Sequence, residues 1–332
     1  MNCALKVLAT VARKYAFSYQ LEKYELGADN YIETGELISD SQIKALGACD
    51  GILLGGFGDP RLDRSVCERG INARMCSELN LFVTMRHVGV FSPDLCPLKP
   101  KSGAKIDFIV VRENTETSYS DLGAFIHKNT SDELALVHGV FIRKTVERVL
   151  RAAYELAHSR PRRTLTLVDR HHHVPAHDLG RRVFAEIGRE YPDVTTNTMS
   201  AEEAAGLVVC RPEQLDVVVT TADIGDMLMG MGQELQGGSG FGAVIYQNPG
   251  QISMFVPCVD KYEESEALRH PNPIGAISAL GQMLAVAGQW DASVAIYQAI
   301  IDVVSGQGQE LGKGFVNAEC ITDHIVQALE AV

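Results

Sequence analysis

Four stretches of the chain carry residues that could do chemistry on a small anionic molecule. Leu79–Phe91 (LNLFVTMRHVGVF) contains Arg86, and Asp107–Arg112 (DFIVVR) delivers Arg112, Glu113 and Asn114, with Tyr119 a little further on. A planar guanidinium fork matches a carboxylate bidentately, so two such arginines could clamp a dicarboxylic acid. Leu165–Val174 (LTLVDRHHHV) sets Arg170 before His171, His172 and His173. Imidazoles exchange protons near neutral pH and ligate metals, so His171 and His172 are candidates for a new acid–base pair. His173 and His177 are four apart and would share one face of a helix. Glu202, Glu203, Asp223 and Asp226 are carboxylates of the kind that hold a hard divalent cation, and Asp223 and Asp226 are spaced to share a helix face. The bland alternatives are surface ion pairs, a packed tyrosine, a His-rich loop and a solvated helix start.

These residues need elements to position them. Ala4–Tyr15 has apolar residues at helical spacing, and Asp40–Ala48 reads as a short capped helix. Gly51–Gly55 (GILLG) reads as a buried strand that ends in a turn of Gly55, Gly56 and Gly58. In open α/β sheets the carboxyl ends of strands are where ligands bind. Leu165–Val168 and Leu215–Thr220 are further strands, while Arg143–His158, Pro273–Ala287, Ala292–Ser305 and Glu319–Ala331 are helices. Gly237–Gly242 (GGSGFG) is a crossing point between two lobes or a plain loop. The alternation favours an α/β fold.

The 332 residues suggest two domains, and 46% apolar with 22% charged residues is ordinary for a globular chain. Lysine and arginine number 30 against 42 acidic residues, a net charge of −12, which argues against a nucleic-acid partner. Eight cysteines without a C-x-x-C pair read as reduced thiols in a cytoplasmic protein. No stretch has the length and apolarity of a membrane span, and no secretory signal opens the chain.

With LGACDGILLGGFGDP (46–60) and HPNPIGAIS (270–278), these segments resemble the metal-dependent β-decarboxylating dehydrogenases, the isocitrate/isopropylmalate/tartrate dehydrogenase family. The resemblance implies a two-lobed α/β fold without GxGxxG, with a discontinuous large lobe (1–81 and 237–332) and a small lobe (82–236) bearing a dimerisation arm. It implies oxidation of a malate-type 2-hydroxy acid with NAD or NADP, β-decarboxylation assisted by Mg²⁺ or Mn²⁺, and a homodimer, a heteromer being the alternative. By position, Arg86, Arg112 and Asn114 match substrate-binding residues, Tyr119 the catalytic tyrosine, Glu202 and Asp226 metal ligands, and Asn272 a cofactor contact.

The departures are as informative. A second family arginine is Cys76 here, and Arg74 is rotated away by about 200° on a helix. The family lysine is Arg170, which holds charge but is a poor proton shuttle. A third metal carboxylate is Gly230, and the adenosine loop is replaced by an acidic run at 259–266. No strand or glycine turn is read ahead of Ala4, where the family has both. The resemblance therefore implies a divergent oxidoreductase, with a catalytically silent subunit or a non-redox decarboxylase or lyase as alternatives.

Overall fold

A computed structural model describes residues 1–56, 61–98, 105–114, 123–137, 139–258, 272–311 and 317–331. Its strands are β1 (Ile52–Leu53), β2 (Val83–Gly89), β3 (Asp107–Glu113), β4 (Gly123–Ile126), β5 (Leu134–Val137), β6 (Thr164–Asp169), β7 (Thr195–Ser200), β8 (Val217–Thr220), β9 (Ala243–Gln247) and β10 (Ser253–Pro257). Eight of them form one mixed sheet in the order β1-β10-β9-β2-β3-β8-β6-β7, and β4 and β5 form a separate antiparallel hairpin. The helices are α1 (Asn2–Lys14), α2 (Ala28–Thr34), α3 (Asp40–Leu46), α4 (Arg64–Cys67), α5 (Arg74–Glu78), α6 (Arg143–Ser159), α7 (His177–Gly188), α8 (Ala201–Cys210), α9 (Ala222–Leu235), α10 (Ile274–Val286), α11 (Trp290–Leu311) and α12 (Ala318–Ala331). A π-helical stretch, Glu68–Ala73, joins α4 to α5.

The block β3-β8-β6-β7 is parallel, and its apolar runs are buried because helices cover both faces. Val149, Leu150, Ala153 and Tyr154 of α6 pack with Phe184 and Ile187 of α7 on one face. On the other, Ala204 and Val208 of α8 and Ile224 and Leu228 of α9 pack on Phe108, Val110 and Val218. In α1, Ala4, Val7, Leu8 and Val11 follow the helical spacing and are buried against α10, α11 and α12.

Register decides which strand ends share an edge. β2 runs antiparallel to both β3 and β9, with Val83 opposite Glu113 and Gln247. The ends of β3, β8, β6 and β7 therefore lie together, and β1 runs toward the other edge. The GILLG strand shrinks to Ile52–Leu53, since it pairs with β10 alone. Gly55 and Gly56 therefore lead away from the Arg112 edge, because the carboxyl-end rule holds within a parallel block and not across an antiparallel junction. Gly58, the third glycine of that turn, lies outside the described residues. The Gly237–Gly242 segment links α9 to β9, and Gly237, Gly238 and Gly240 hold φ of 110°, 97° and 87°, where a side chain is strained. Among the described residues no helix is long and apolar enough to cross a membrane.

Candidate functional site

The end of β3 places Arg112 under α9, 3% exposed. Its Nε lies 2.7 Å from Asp226 Oδ1, a carboxylate whose side chain is 57% exposed. Its Nη1 donates to the Glu113 carbonyl and to Asn114 Oδ1, each at 3.0 Å. Asn114 Nδ2 in turn donates to the Leu81 carbonyl at 3.0 Å, so the β3 end is tied to the start of β2. The helix approaches this closely because position 225 is glycine: a Cβ there would lie 2.7 Å from Arg112 Cβ and 2.9 Å from Cδ. Gly225→Ala is expected to push α9 from the arginine and cost about 1–3 kcal/mol. A lowered Tm is the expected reading; an unchanged Tm would mean that the close approach is not needed.

Beside Arg112, burial pushes the Cys76 thiol up to about 12, partly countered by Asn114 and by the arginine's charge. Cys76 Sγ donates to Asn72 Oδ1 at 3.7 Å, and Asn72 Nδ2 donates to Tyr246 Oη at 3.4 Å. Tyr246 stands opposite Thr84, which stands opposite Arg112. Sequence reading missed Asn72 and Tyr246, because only long-range strand pairing brings them there. Arg74 is turned away: Nε donates to Glu78 at 2.7 Å, Nη1 donates to the Ile38 carbonyl at 2.5 Å, and Asp40 takes Nη2.

Arg86 lies two positions along β2 from Thr84, the residue opposite Arg112, and its guanidinium is engaged by the far end of α9. Its Nη1 and Nη2 donate to Gln233 Oε1 at 3.1 Å and Gln236 Oε1 at 3.3 Å, and Nε is buried without a hydrogen-bond partner among the described residues. Gln236 Nε2 donates to the Gly89 carbonyl at 3.2 Å, and a Cβ on Gly242 would lie 3.1 Å from Arg86 Nη2. Gly89 and Gly242 are toward the other sheet edge, so this guanidinium locks β2 to the end of α9.

At the end of β6, Asp169 accepts from Arg181 Nε at 2.6 Å and Nη2 at 3.0 Å, and from the His171 backbone N–H at 3.1 Å. Burial pushes its carboxyl up, but Arg181 and His171 outweigh this and hold it below the usual carboxylate range. Arg170 Nη2 lies 3.4 Å from Glu202 Oε1, both side chains about half exposed. Glu203 is a helix cap: it accepts from the Ser200 N–H at 2.8 Å while Ser200 Oγ accepts from its own N–H. Asp223 accepts from Thr221 Oγ1 at 2.5 Å in the first turn of α9.

The shared helix face expected of His173 and His177 is absent. His177 opens α7, whereas His173 lies in the preceding turn, its N–H bonded to the Arg170 carbonyl. That turn forms because Pro175 cannot continue a helical hydrogen-bond ladder from residue 171. Burial pushes His177 down, and its Nδ1 accepts from the Arg170 N–H at 2.9 Å.

Asp226 pairs with Arg112 and Glu202 with Arg170, and among the described residues no three His, Cys, Asp or Glu side chains could hold a metal ion together. Asn272, matched to a cofactor contact, accepts from the N–H of Ile274, the first residue of α10, at 3.0 Å. Tyr119 and the acidic run at 259–266 lie outside the described residues.

This is a mixed α/β sheet whose parallel block presents arginine, amide and carboxylate groups at its carboxyl edge, an arrangement suited to binding small acids. The family model for isocitrate/isopropylmalate dehydrogenase matches residues 1–327, and the chain belongs to that family. It is 35% identical to the 3-isopropylmalate dehydrogenase of Thermobifida fusca over 90% of this chain and 85% of that one. It is 34% identical to the enzyme of the same name from Frankia casuarinae, over 84% and 82% of the two chains. The fold matches an isocitrate dehydrogenase structure from Methylococcus capsulatus with a TM-score of 0.84 at 22% identity, covering 99% of this chain and 96% of that one.

Proposed function

We propose that this protein oxidises a malate-type 2-hydroxy acid, with Arg112 and Asn114 receiving a substrate carboxylate. The observation that carries the reading is the state of Arg112: buried, fixed by Glu113 and Asn114, and opposed by a carboxylate, Asp226, that is mostly in water. An incoming carboxylate can replace Asp226, because that half-exposed group regains water when displaced while the buried guanidinium keeps a charged partner. A nicotinamide dinucleotide, when bound, accepts the hydride from the carbon bearing the hydroxyl. Among the described residues of one chain, Glu202 and Asp226 are not joined by a third His, Cys, Asp or Glu that could complete a metal site.

A second reading, a subunit that keeps the fold without turnover, is favoured by two observations: Arg86 is committed to Gln233 and Gln236, and Arg170 stands where the family has a lysine. The lobes of this proposal are 1–81 with 237–332, and 82–236. Exposed apolar residues on the hairpin (Phe125, Ile126, Leu134) and on α8 and α9 (Val209, Met227) support a homodimer.

The test crosses NAD⁺ and NADP⁺ with Mn²⁺ and a panel of malate-type acids, read by thermal shift and by absorbance of the reduced nucleotide. A ligand at about 100 times its Kd stabilises by roughly 2.7 kcal/mol. Dehydrogenation predicts a shift and reduced nucleotide with at least one acid. Binding without turnover selects the silent subunit, and no response to any acid sinks the assignment of Arg112.

A further inference from the structure

We propose that Asp169 and His171 form a proton-accepting dyad, with His171 Nε2 taking the hydroxyl proton of the substrate in place of a lysine. The inference rests on the dehydrogenase reading above.

His171 Nδ1 lies 3.1 Å from Asp169 Oδ1. Asp169 is 3% exposed and is held ionised by Arg181 and by the His171 backbone N–H. An ionised carboxylate can only accept hydrogen bonds, so the neutral imidazole of His171 carries its proton on Nδ1. Nε2 is left with a free lone pair, on a side chain that is 26% exposed and within reach of a small molecule. A buried carboxylate that fixes the tautomer of a partly open imidazole is the arrangement a general base requires.

His177 has the reverse arrangement. Its Nδ1 accepts from the Arg170 N–H, which puts the proton on Nε2, and the residue is 7% exposed. It cannot take a proton without breaking that bond. His172 has its ring centroid 3.7 Å from that of His171. Glu203, whose carboxylate feels the His172 charge, is committed to the Ser200 cap. Of the three, His171 has both a hydrogen-bonded carboxylate to orient it and an open nitrogen.

The surroundings fit an anionic hydroxy acid. Arg170 is adjacent in the chain, half exposed, and paired at 3.4 Å to the half-exposed Glu202. A guanidinium can hold a carboxylate or a developing oxyanion but is a poor proton shuttle, which leaves the base to another side chain. The step balances as follows: the hydroxyl O–H breaks and its proton goes to His171 Nε2, the C–H pair leaves as hydride to an oxidised nicotinamide, and C–O becomes C=O. Asp169 does not take the proton; it stabilises the imidazolium.

The experiment uses the full chain labelled with ¹⁵N-histidine, and the variants His171→Ala and Asp169→Asn. In the long-range ¹H–¹⁵N spectrum of the neutral rings, His171 is expected as the Nδ1–H tautomer, and Asp169→Asn is expected to mix its tautomers. His171→Ala is expected to lower kcat about 100-fold or more. It should keep the thermal shift given by the hydroxy acid, and added imidazole should restore part of the rate. A merely structural histidine would show no rescue. An Nε2–H tautomer at His171, or a His171→Ala protein that turns over like wild type, overturns the dyad and leaves the dehydrogenase reading intact. A wild-type protein that reduces neither NAD⁺ nor NADP⁺ with any acid overturns the dehydrogenase reading, and the dyad with it.

Discussion

Arg112→Ala is expected to diminish the thermal shift given by a hydroxy acid and to lower acid affinity by roughly 10- to 100-fold. The magnitude follows from the loss of charge-assisted hydrogen bonds, about 1.5–3 kcal/mol, at 1.4 kcal/mol per factor of ten. Stability falls as well. Without the guanidinium, Asn114 Oδ1 and the Glu113 carbonyl are left in a buried setting without this donor, while the exposed Asp226 rehydrates. Each buried acceptor deprived of its partner costs about 1–3 kcal/mol. Arg112→Lys keeps the charge but not the fork, so it should recover part of the affinity and less of the geometry. Isothermal titration with the acid separates the two effects, since a destabilised site that still binds with wild-type affinity would remove Arg112 from substrate recognition.

The residue types at this site were legible in the sequence, but their meeting points were not. Arg112 and Asn114 lie two positions apart at a strand end, so their proximity needs no tertiary information. Arg86 shows the limit. Its motif suggested a second arm of a clamp, yet the partners that claim it, Gln233 and Gln236, lie at separations of 147 and 150 positions. Nothing local in LFVTMR reveals that α9 ends over that strand. The two glutamates at the start of α8 were equivalent in composition. Ser200 resolves them, since Ser-x-x-Glu is a capping box that takes Glu203 and leaves Glu202 to Arg170. The glycine turn after β1 points to the other edge for a topological reason: three antiparallel junctions, β10/β9, β9/β2 and β2/β3, separate β1 from β3, so the two strands run in opposite directions. The helices were read well where their apolar spacing was regular, as in α1 and α6, because burial of one stripe is what makes them helices.

The far end of the parallel block is held by charge, and this gives the largest stability effect expected in the molecule. Asp216, with a side chain 1% exposed, accepts from Arg160 Nε at 2.5 Å and from the Thr164 N–H at 3.0 Å. Arg160 Nη2 continues to Asp107 Oδ1 at 3.0 Å, and His87 Nε2 lies 2.8 Å from the same oxygen. The network joins β2, β3, β6 and β8 to the C-terminal end of α6. Asp216→Ala removes one partner of a buried pair and is expected to cost about 3–5 kcal/mol, which is roughly 10 °C in Tm. Asp216→Asn keeps the shape and one acceptor, and should cost less. Acid acts on the same cluster through Asp107, whose carboxyl the His87 bond, aided by Arg160 and opposed by desolvation, holds well below the usual range. A carboxyl depressed in the folded state contributes stability above its unfolded pKa, about 3.9, and loses it as pH falls through the folded value. Tm should therefore drop on acidification below about pH 4, and Asp107→Asn, already lacking the charge, should drop less steeply. If Asp216→Ala melts with wild type, the strand ends are held by their apolar faces alone; if Asp107→Asn follows the wild-type acid slope, the titrating group lies elsewhere.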